Sequence, residues 1–229
     1  MRFDNSLVEA RFLQRLNRFA ALVDVHGAET LVHVANSGRM RELLVPGYRV
    51  YLRPAAAPHR KTVFDLALVD LGGFLCSADS QLPPLLLQEA FGQGHLPPFT
   101  DYKCVRREVT FGESRLDLLL SGPPGLCYVE AKSVTLVEDG VGLFPDAPTE
   151  RGRKHLISLT KAIKAGHRAA VVFVVQRPDA TAFAPHDTAD PKLGQGLRDA
   201  VQAGVTALAY NCGVDLQGVH LNAEIPVLL

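Results

Sequence analysis

Up to about residue 70 the chain alternates apolar and polar positions in short runs, and period-two alternation predicts β-strands. Leu7–Leu13, Phe19–Val25 and Glu29–Ala35 make three such runs, the last two joined across a His26-Gly27 turn. After Asn36-Ser37-Gly38, the segment Arg39–Leu44 has room for a turn or two of helix. Pro46-Gly47 marks a turn, Tyr48–Arg53 a fourth strand, Pro54–Lys61 a loop, and Val63–Asp70 a fifth strand. Five strands with a short helix between the third and fourth is the OB-fold order, a small Greek-key barrel. Such barrels bind nucleic acids or sugars, or simply steady a neighbouring unit, so the fold alone assigns no function.

From about residue 82 the period changes. Phe74–Gln81 reads as a connector, Leu85–Phe91 as a helix and Gly94–Thr100 as a loop. Strands are predicted at Lys103–Phe111, 114–121 and 126–133. Thr149 is a plausible N-cap and Gly166 a plausible end for a helix whose apolar stripe is Leu156, Leu159 and Ile163. Ala169–Val175 is an unbroken apolar run of strand length, the kind buried on both faces. Arg177–Lys192 is polar and contains prolines, Leu197–Ala203 is amphipathic, and Ala207–Tyr210 and Val219–Leu221 read as late strands. A strand meander followed by a crossover helix into a buried strand makes a mixed α/β sheet. The expected domains are therefore residues 1–81 and residues 82–229.

The 229 residues are 47% hydrophobic, enough to bury a sizeable core. Twenty-four basic and 24 acidic side chains cancel, so net charge names no partner. Their placement is uneven: residues 1–61 carry ten Lys/Arg against five Asp/Glu, and residues 149–168 carry six against one. Segregated basic segments suit a polyanion, and equally occur as surface scatter. Cys76, Cys104, Cys127 and Cys212 are widely spaced without a C-x-x-C pair, which points to reduced thiols in a cytoplasmic protein. No run approaches the roughly 18 apolar residues that span a bilayer, and no targeting segment is visible.

The chemistry concentrates in SRLDLLLSGPPGLCYVEAKS, residues 114–133. Two alternating runs flank a Pro-Pro-Gly turn and predict a hairpin. A symmetric register about Pro123-Pro124 sets Asp117 opposite Glu130 on one face, about 5 Å apart at Cβ. Lys132, two residues on, points to the same face. Two carboxylates that close repel unless a proton or cation lies between them. A divalent metal beside an ammonium resolves this and makes a phosphate-cleaving centre. A cross-strand salt bridge on the surface is the alternative. In the metal reading, Asp117, Glu130 and the Ala131 carbonyl hold Mg²⁺ or Mn²⁺, and Lys132 steadies developing charge.

The order α-β-β-β-α-β, with Asp117 on the second strand and Glu130-Ala131-Lys132 on the third, resembles the PD-(D/E)xK nuclease superfamily. Over the whole chain, RFLQRLNRF (11–19), HVANSGRMRELLVPG (33–47), RKTVFDL (60–66), YVEAKSVTL (128–136), LFPDAPTERGRKHL (143–156) and VFVVQRPD (172–179) resemble the sugar fermentation stimulation protein A (SfsA) family of bacteria and archaea. That resemblance implies a two-domain protein mixing α+β and α/β character: an OB-like β-barrel followed by a restriction-endonuclease-like mixed α/β domain. It also implies DNA binding without strong sequence preference, and a regulatory link to sugar (maltose) metabolism. Leu116 and Ala131 stand where the family usually has Phe and Val.

Further candidates follow. Glu89 and Asp146 are possible extra carboxylates at the site, as is Glu150. Arg151, Arg153, Lys154 and His155 open a helix, where N–H groups and basic side chains suit a phosphate, and His155 is also a candidate general base. In the first domain Arg11, Arg15, Arg18, Arg39, Arg41, Arg60 and Lys61 are candidates to track a nucleic-acid backbone. Phe12, Phe19 and Tyr48 are candidates either for base stacking or for the core. DNA is the expected partner, with RNA open, a membrane excluded and the oligomeric state undetermined. Three readings stand: a metal-dependent nuclease; a non-catalytic, sequence-nonspecific DNA-binding regulator on a nuclease scaffold; or an RNA- or small-ligand-binding OB module whose C-terminal domain is structural. Walker, G-x-S-x-G, H-E-x-x-H and G-x-G-x-x-G motifs are absent.

Overall fold

The computed structural model describes residues 1–3, 6–55 and 60–229. The alternating first third forms β1 (Val8–Asn17), β2 (Ala20–Val25), β3 (Ala28–His33), β4 (Arg49–Pro54) and β5 (Phe64–Asp70). Neighbours β1–β2, β2–β3, β1–β4 and β4–β5 pair antiparallel, and a parallel contact of His33 with Asp65 closes the barrel. Phe12, Val23, Val32, Val50, Leu52 and Leu66 fill its interior. Closure leaves few open edges, and β6 (Leu75–Ser77), in the expected connector, lengthens the sheet along β5. The short helix expected at Arg39–Leu44 is a single turn, in which Leu43 and Leu44 both donate to the Met40 carbonyl. Met40 sits at φ 46°, a left-handed conformation that a right-handed helix cannot propagate through. Residues 56–59 of the expected loop Pro54–Lys61 lie outside the described residues.

The second part begins with α1 (Leu82–Gly92), three residues earlier than its apolar spacing indicates. Pro83 and Pro84 occupy its first turn, where no N–H is needed. The chain continues through β7 (Cys104–Phe111), β8 (Ser114–Gly122), β9 (Gly125–Val134), β10 (Val137–Glu138), β11 (Val141–Phe144), α2 (Glu150–Lys164), β12 (Arg168–Val175), β13 (Ala182–Pro185), α3 (Pro191–Gln202), β14 (Thr206–Asp215) and β15 (Gly218–Ile225). The main sheet runs β15-β14-β12-β9-β8-β7. The meander β7-β8-β9 is antiparallel, β9-β12-β14 is parallel, and β15 returns antiparallel. The stretch read as polar between residues 177 and 192 holds β13, which joins β10 and β11 in a small sheet. It also leads into the start of α3, at Pro191 rather than Leu197. A four-residue strand and two opening turns containing Gly194 and Gly196 carry too little periodicity to be read from sequence.

Helices cover both faces of the sheet, and β12 shows why its sequence is uniformly apolar. Ala170, Val172 and Val174 pack towards α1, and Val171, Phe173 and Val175 towards α2 and α3. The α1 layer also takes in Tyr51, Ala67 and Leu68 of the barrel, so one apolar core runs across the junction. Residues 1–3 do not belong with the barrel strands. Phe3 donates to the Gln217 carbonyl and Val219 to that of Met1, which extends the β14–β15 hairpin.

Asp190 ties α2 to α3. It caps α3 through Leu193 N–H (3.1 Å), accepts from Thr149 N–H (2.9 Å) just before α2, and pairs with Arg153 (2.6 Å). It is 3% exposed. Asp190→Ala leaves a half-buried guanidinium, a half-buried N–H and a buried N–H without their acceptor. Urea unfolding is expected to show a loss of about 2–3 kcal/mol from the lost cap and the unpaired half-buried charge; a loss below about 1 kcal/mol would refute this role.

Candidate active site

The hairpin forms in the symmetric register: Gly122 pairs with Gly125, Leu120 with Cys127, and Leu118 with Val129. The ladder then stops. In place of a backbone partner, the Ala131 N–H donates to Asp117 Oδ2 at 2.8 Å. N–H and C=O of one residue leave a strand along the same edge, so the Ala131 carbonyl also faces the gap where β8 leaves β9. Asp117 and Glu130 occupy the next opposed position beyond Leu118 and Val129, as the symmetric register requires.

Glu130 is 3% exposed. Its Oε1 accepts from Lys132 Nζ at 2.6 Å and contacts His155 Nδ1, which α2 brings against it. His155 Nδ1 also lies 3.1 Å from Lys132 Nζ. Glu130 Oε2 is buried and has no hydrogen-bond partner. Burial alone would push the Glu130 carboxyl up, but Lys132 and His155 outweigh it and hold it below its ordinary value. Asp117 is pushed up to about 6, first by burial and then by the negative charge of Glu130. A carboxylate oxygen without a partner, beside a second carboxylate that resists ionising, fits a divalent cation. The residues able to hold it are Asp117, Glu130 and the Ala131 carbonyl. Among the described residues no group of three or more His, Cys, Asp or Glu side chains is placed to hold a metal. Two carboxylates and a carbonyl match an ion that keeps several of its own waters.

The trio opens into a cleft of about 1490 Å³ between the barrel and the α/β domain. The two walls differ in charge. Every charged barrel residue along it is an arginine: Arg15, Arg18, Arg39 and Arg41. The opposite wall carries Asp117, Glu130, Glu108, Asp146 and Glu150, together with Lys132, Arg107 and Arg151. Arg107 was not anticipated from sequence, and its only signal there is the tandem Arg106-Arg107 on β7.

The other candidates separate. Glu89 does not reach the cleft; its carboxylate pairs with the Met1 amino group at 2.6 Å on the exposed side of α1. Asp146 lines the cleft, but its Oδ2 accepts from Met40 N–H (3.0 Å) and so ties the two walls together. Arg15 is not free for phosphate, because its five N–H groups go to the carbonyls of Asn17, Gly38, Arg39, Arg18 and Asn36. It shapes the arginine-bearing loop instead. Arg11 donates to the Gly47 carbonyl, away from the cleft. Arg60 pairs with Asp65 and, with Lys61, lines a second hollow. Arg151 reaches the cleft; Lys154, one residue past the Asp190-bound Arg153, is exposed outside it. His155 is buried at the centre. Phe12 is core, whereas Phe19 and Tyr48 are exposed.

An OB barrel joined to a restriction-endonuclease-like α/β domain, with two acids and a lysine where the central strands part, defines the class of protein. Two family models match: the sugar fermentation stimulation protein RE domain over residues 81–218, and the SfsA N-terminal OB domain over residues 13–77. The chain belongs to the sugar fermentation stimulation protein (SfsA) family. It is 46% identical to the sugar fermentation stimulation protein homolog of Desulforamulus reducens, over 97% of this chain and 93% of that one. It is 45% identical to the Clostridium kluyveri homolog over the full length of both. The solved structure of Pyrococcus furiosus SfsA in complex with Ca²⁺ superposes with a TM-score of 0.93 at 31% identity, over 100% of this chain and 98% of that one. No helix among the described residues is long and apolar enough to cross a membrane.

The raised Asp117 carboxyl has a measurable consequence. Between pH 4 and 6 the folded chain holds a proton that the unfolded chain has released, so stability falls as pH rises through this window. Above pH 6 the penalty is complete, roughly 3 kcal/mol. Asp117→Asn is therefore expected to raise the Tm of metal-free protein at pH 8 and to leave it nearly unchanged at pH 4. A variant no more stable than wild type at pH 8 would refute the burial penalty.

Proposed function

We propose that this protein binds DNA in the interdomain cleft and cleaves phosphodiester bonds there with Mg²⁺ or Mn²⁺. The observation that carries the reading is Glu130 Oε2, buried and unpartnered beside Asp117 and Lys132, in a cleft whose opposite wall is arginine. Asp117, Glu130 and the Ala131 carbonyl are the ion's holders. The family's Ca²⁺-bound relative supports a hard, oxygen-seeking cation in this fold. Such an ion supplies a more acidic bound water and charge neutralisation at the phosphate.

This chain's own groups do the rest. Arg18, Arg39 and Arg41 grip phosphates and set the strand across the cleft. Lys132 offers its ammonium to charge developing on the scissile phosphate. His155 contacts both Glu130 Oε1 and Lys132 Nζ, so it holds both orientations from α2. The family's name describes stimulation of sugar fermentation, which supports a physiological role in the regulation of sugar use.

A second reading, DNA binding without turnover, takes support from Lys132, whose Nζ is engaged with Glu130 and His155 rather than extended into the cleft. Cleavage assays on single- and double-stranded DNA and RNA with Mn²⁺ separate the two. The catalytic reading expects losses of at least about a hundredfold in Asp117→Ala and Lys132→Ala. Absence of cleavage by wild type, or cleavage indifferent to both substitutions, would leave the binding reading. Both readings expect affinity to fall steeply with salt. Replacing Arg18 and Arg39 together with Ala should flatten the slope of log K against log salt by about 1.4–1.8, as two phosphate contacts require. An unchanged slope would remove the barrel wall from the interface.

A further inference from the structure

The barrel carries a second hollow that the cleft chemistry does not use. It is lined by the β1–β2 turn (Leu16, Asn17, Phe19, Ala20), by Leu31 and His33 of β3, and by Arg53, Arg60, Lys61 and Asp65 around the β4–β5 connection. Three large apolar side chains stand exposed there: Phe19 at 53%, Leu16 at 48% and Leu31 at 38%. The Phe19 ring is not on a loose tip. Its N–H donates to Asn17 Oδ1 (2.9 Å) and its carbonyl accepts from Val34 N–H (3.0 Å), which pins the turn at both sides. An outward aromatic ring on a fixed backbone is a platform for a flat partner.

The hollow's charge is organised as well. The Asp65 carboxylate accepts from Arg60 Nη1 (3.2 Å) and Arg53 Nη2 (3.4 Å) and contacts His33 Nδ1 (2.9 Å). Arg53 also reaches Asp79 at 3.3 Å. Arg53, Arg60 and Lys61 face one lining carboxylate, with Asp79 behind, so a positive surplus remains. Asp65 fixes the guanidiniums without cancelling them. Leu16, Asn17 and Gln81 line both this hollow and the interdomain cleft, so the two adjoin.

We infer that this hollow is a subsite for single-stranded nucleic acid, with an unpaired base stacked on Phe19 and the backbone running past Lys61 and Arg60 towards the cleft. In a duplex the base faces are covered by their neighbours, so only an unpaired strand or frayed end offers a ring to this platform. Strand faces and the loops beside the β1–β2 turn and the β4–β5 connection are also where OB barrels seat oligonucleotides. The inference deepens the reading of the cleft as a nucleic-acid path and rests on it: the substrate class becomes a strand with an unpaired segment.

The chain has no tryptophan, so Phe19→Trp installs a single indole reporter at the platform. A twenty-nucleotide oligothymidylate or oligouridylate is expected to quench its emission, and a blunt duplex of the same length to quench it far less. The stronger of the two single strands identifies the preferred sugar. Phe19→Ala should weaken single-strand affinity about tenfold, and Lys61→Glu about fivefold, with duplex affinity nearly unchanged. No quenching by either single strand, or equal quenching by the duplex, overturns the inference. Asp117→Ala on the Phe19→Trp background separates this claim from the catalytic one. Intact quenching without any cleavage by wild type would sink catalysis alone. Cleavage by wild type without quenching would sink the subsite alone.

Discussion

A buried acid and a half-buried one facing each other across the end of a hairpin are the constraint around which this protein is built. Asp117 and Glu130 sit where β8 and β9 separate, under α2 and against the interdomain cleft. Burial raises the energy of each charge, and proximity raises it again. Lys132 and His155 outweigh the cost for Glu130 but only partly offset it for Asp117, which leaves Asp117 pushed up to about 6 and Glu130 Oε2 without a partner. Hydrophobic packing on both faces of the sheet must hold this arrangement against its own repulsion. The continuous apolar run of β12 beside β9, and the layers of α1 on one side and α2 with α3 on the other, do so. An electrostatically unfavourable site kept in place by a rigid scaffold is the usual cost of pre-arranged chemistry.

The barrel takes part in this site as well as flanking it. The core it shares with α1, through Tyr51, Ala67 and Leu68, fixes its orientation, and Asp146 bridges to Met40 across the mouth of the cleft. With the junction fixed, Arg15 can use its donors to shape the loop from Asn36 to Arg39. That loop in turn holds Arg39 and Arg41 opposite the acids. A wall of fixed positive charge faces a wall rich in carboxylates; on the function proposed above, this separates two tasks that would conflict at one surface, gripping a polyanion and holding a cation.

The hairpin was legible before any coordinates because its rules are local. Side chains alternate, a Pro-Pro-Gly turn sets the register, and the register then places residues 117 and 130 opposite each other without knowledge of the rest of the chain. The five-strand order of the barrel and the buried strand at Ala169–Val175 were readable for the same reason: long or regular patterns report which faces are covered. Where the pattern was short the reading failed. β6, β10 and β13 are two to four residues long, and the turn at Met40 depends on one residue with a positive φ.

Charge was the least legible property. Glu89, Arg15, Arg11 and Arg60 have the same residue types as Glu130, Arg18 and Arg39, and sequence ranks them together. Tertiary structure separated them, because the fate of a charged side chain depends on which partners come within about 4 Å, and those partners are mostly distant in sequence. The Met1 amino group reached Glu89, three distant carbonyls and two nearby ones absorbed Arg15, and Asp65 set Arg60 in the second hollow rather than the cleft. Phe12 and Phe19 divided in the same way, one into the core and one into solvent. The sequence by itself determined the longer strands, the hairpin register and the family. Only the packed structure decided which charges and rings remain available to a ligand, because availability is set by neighbours that periodicity does not encode.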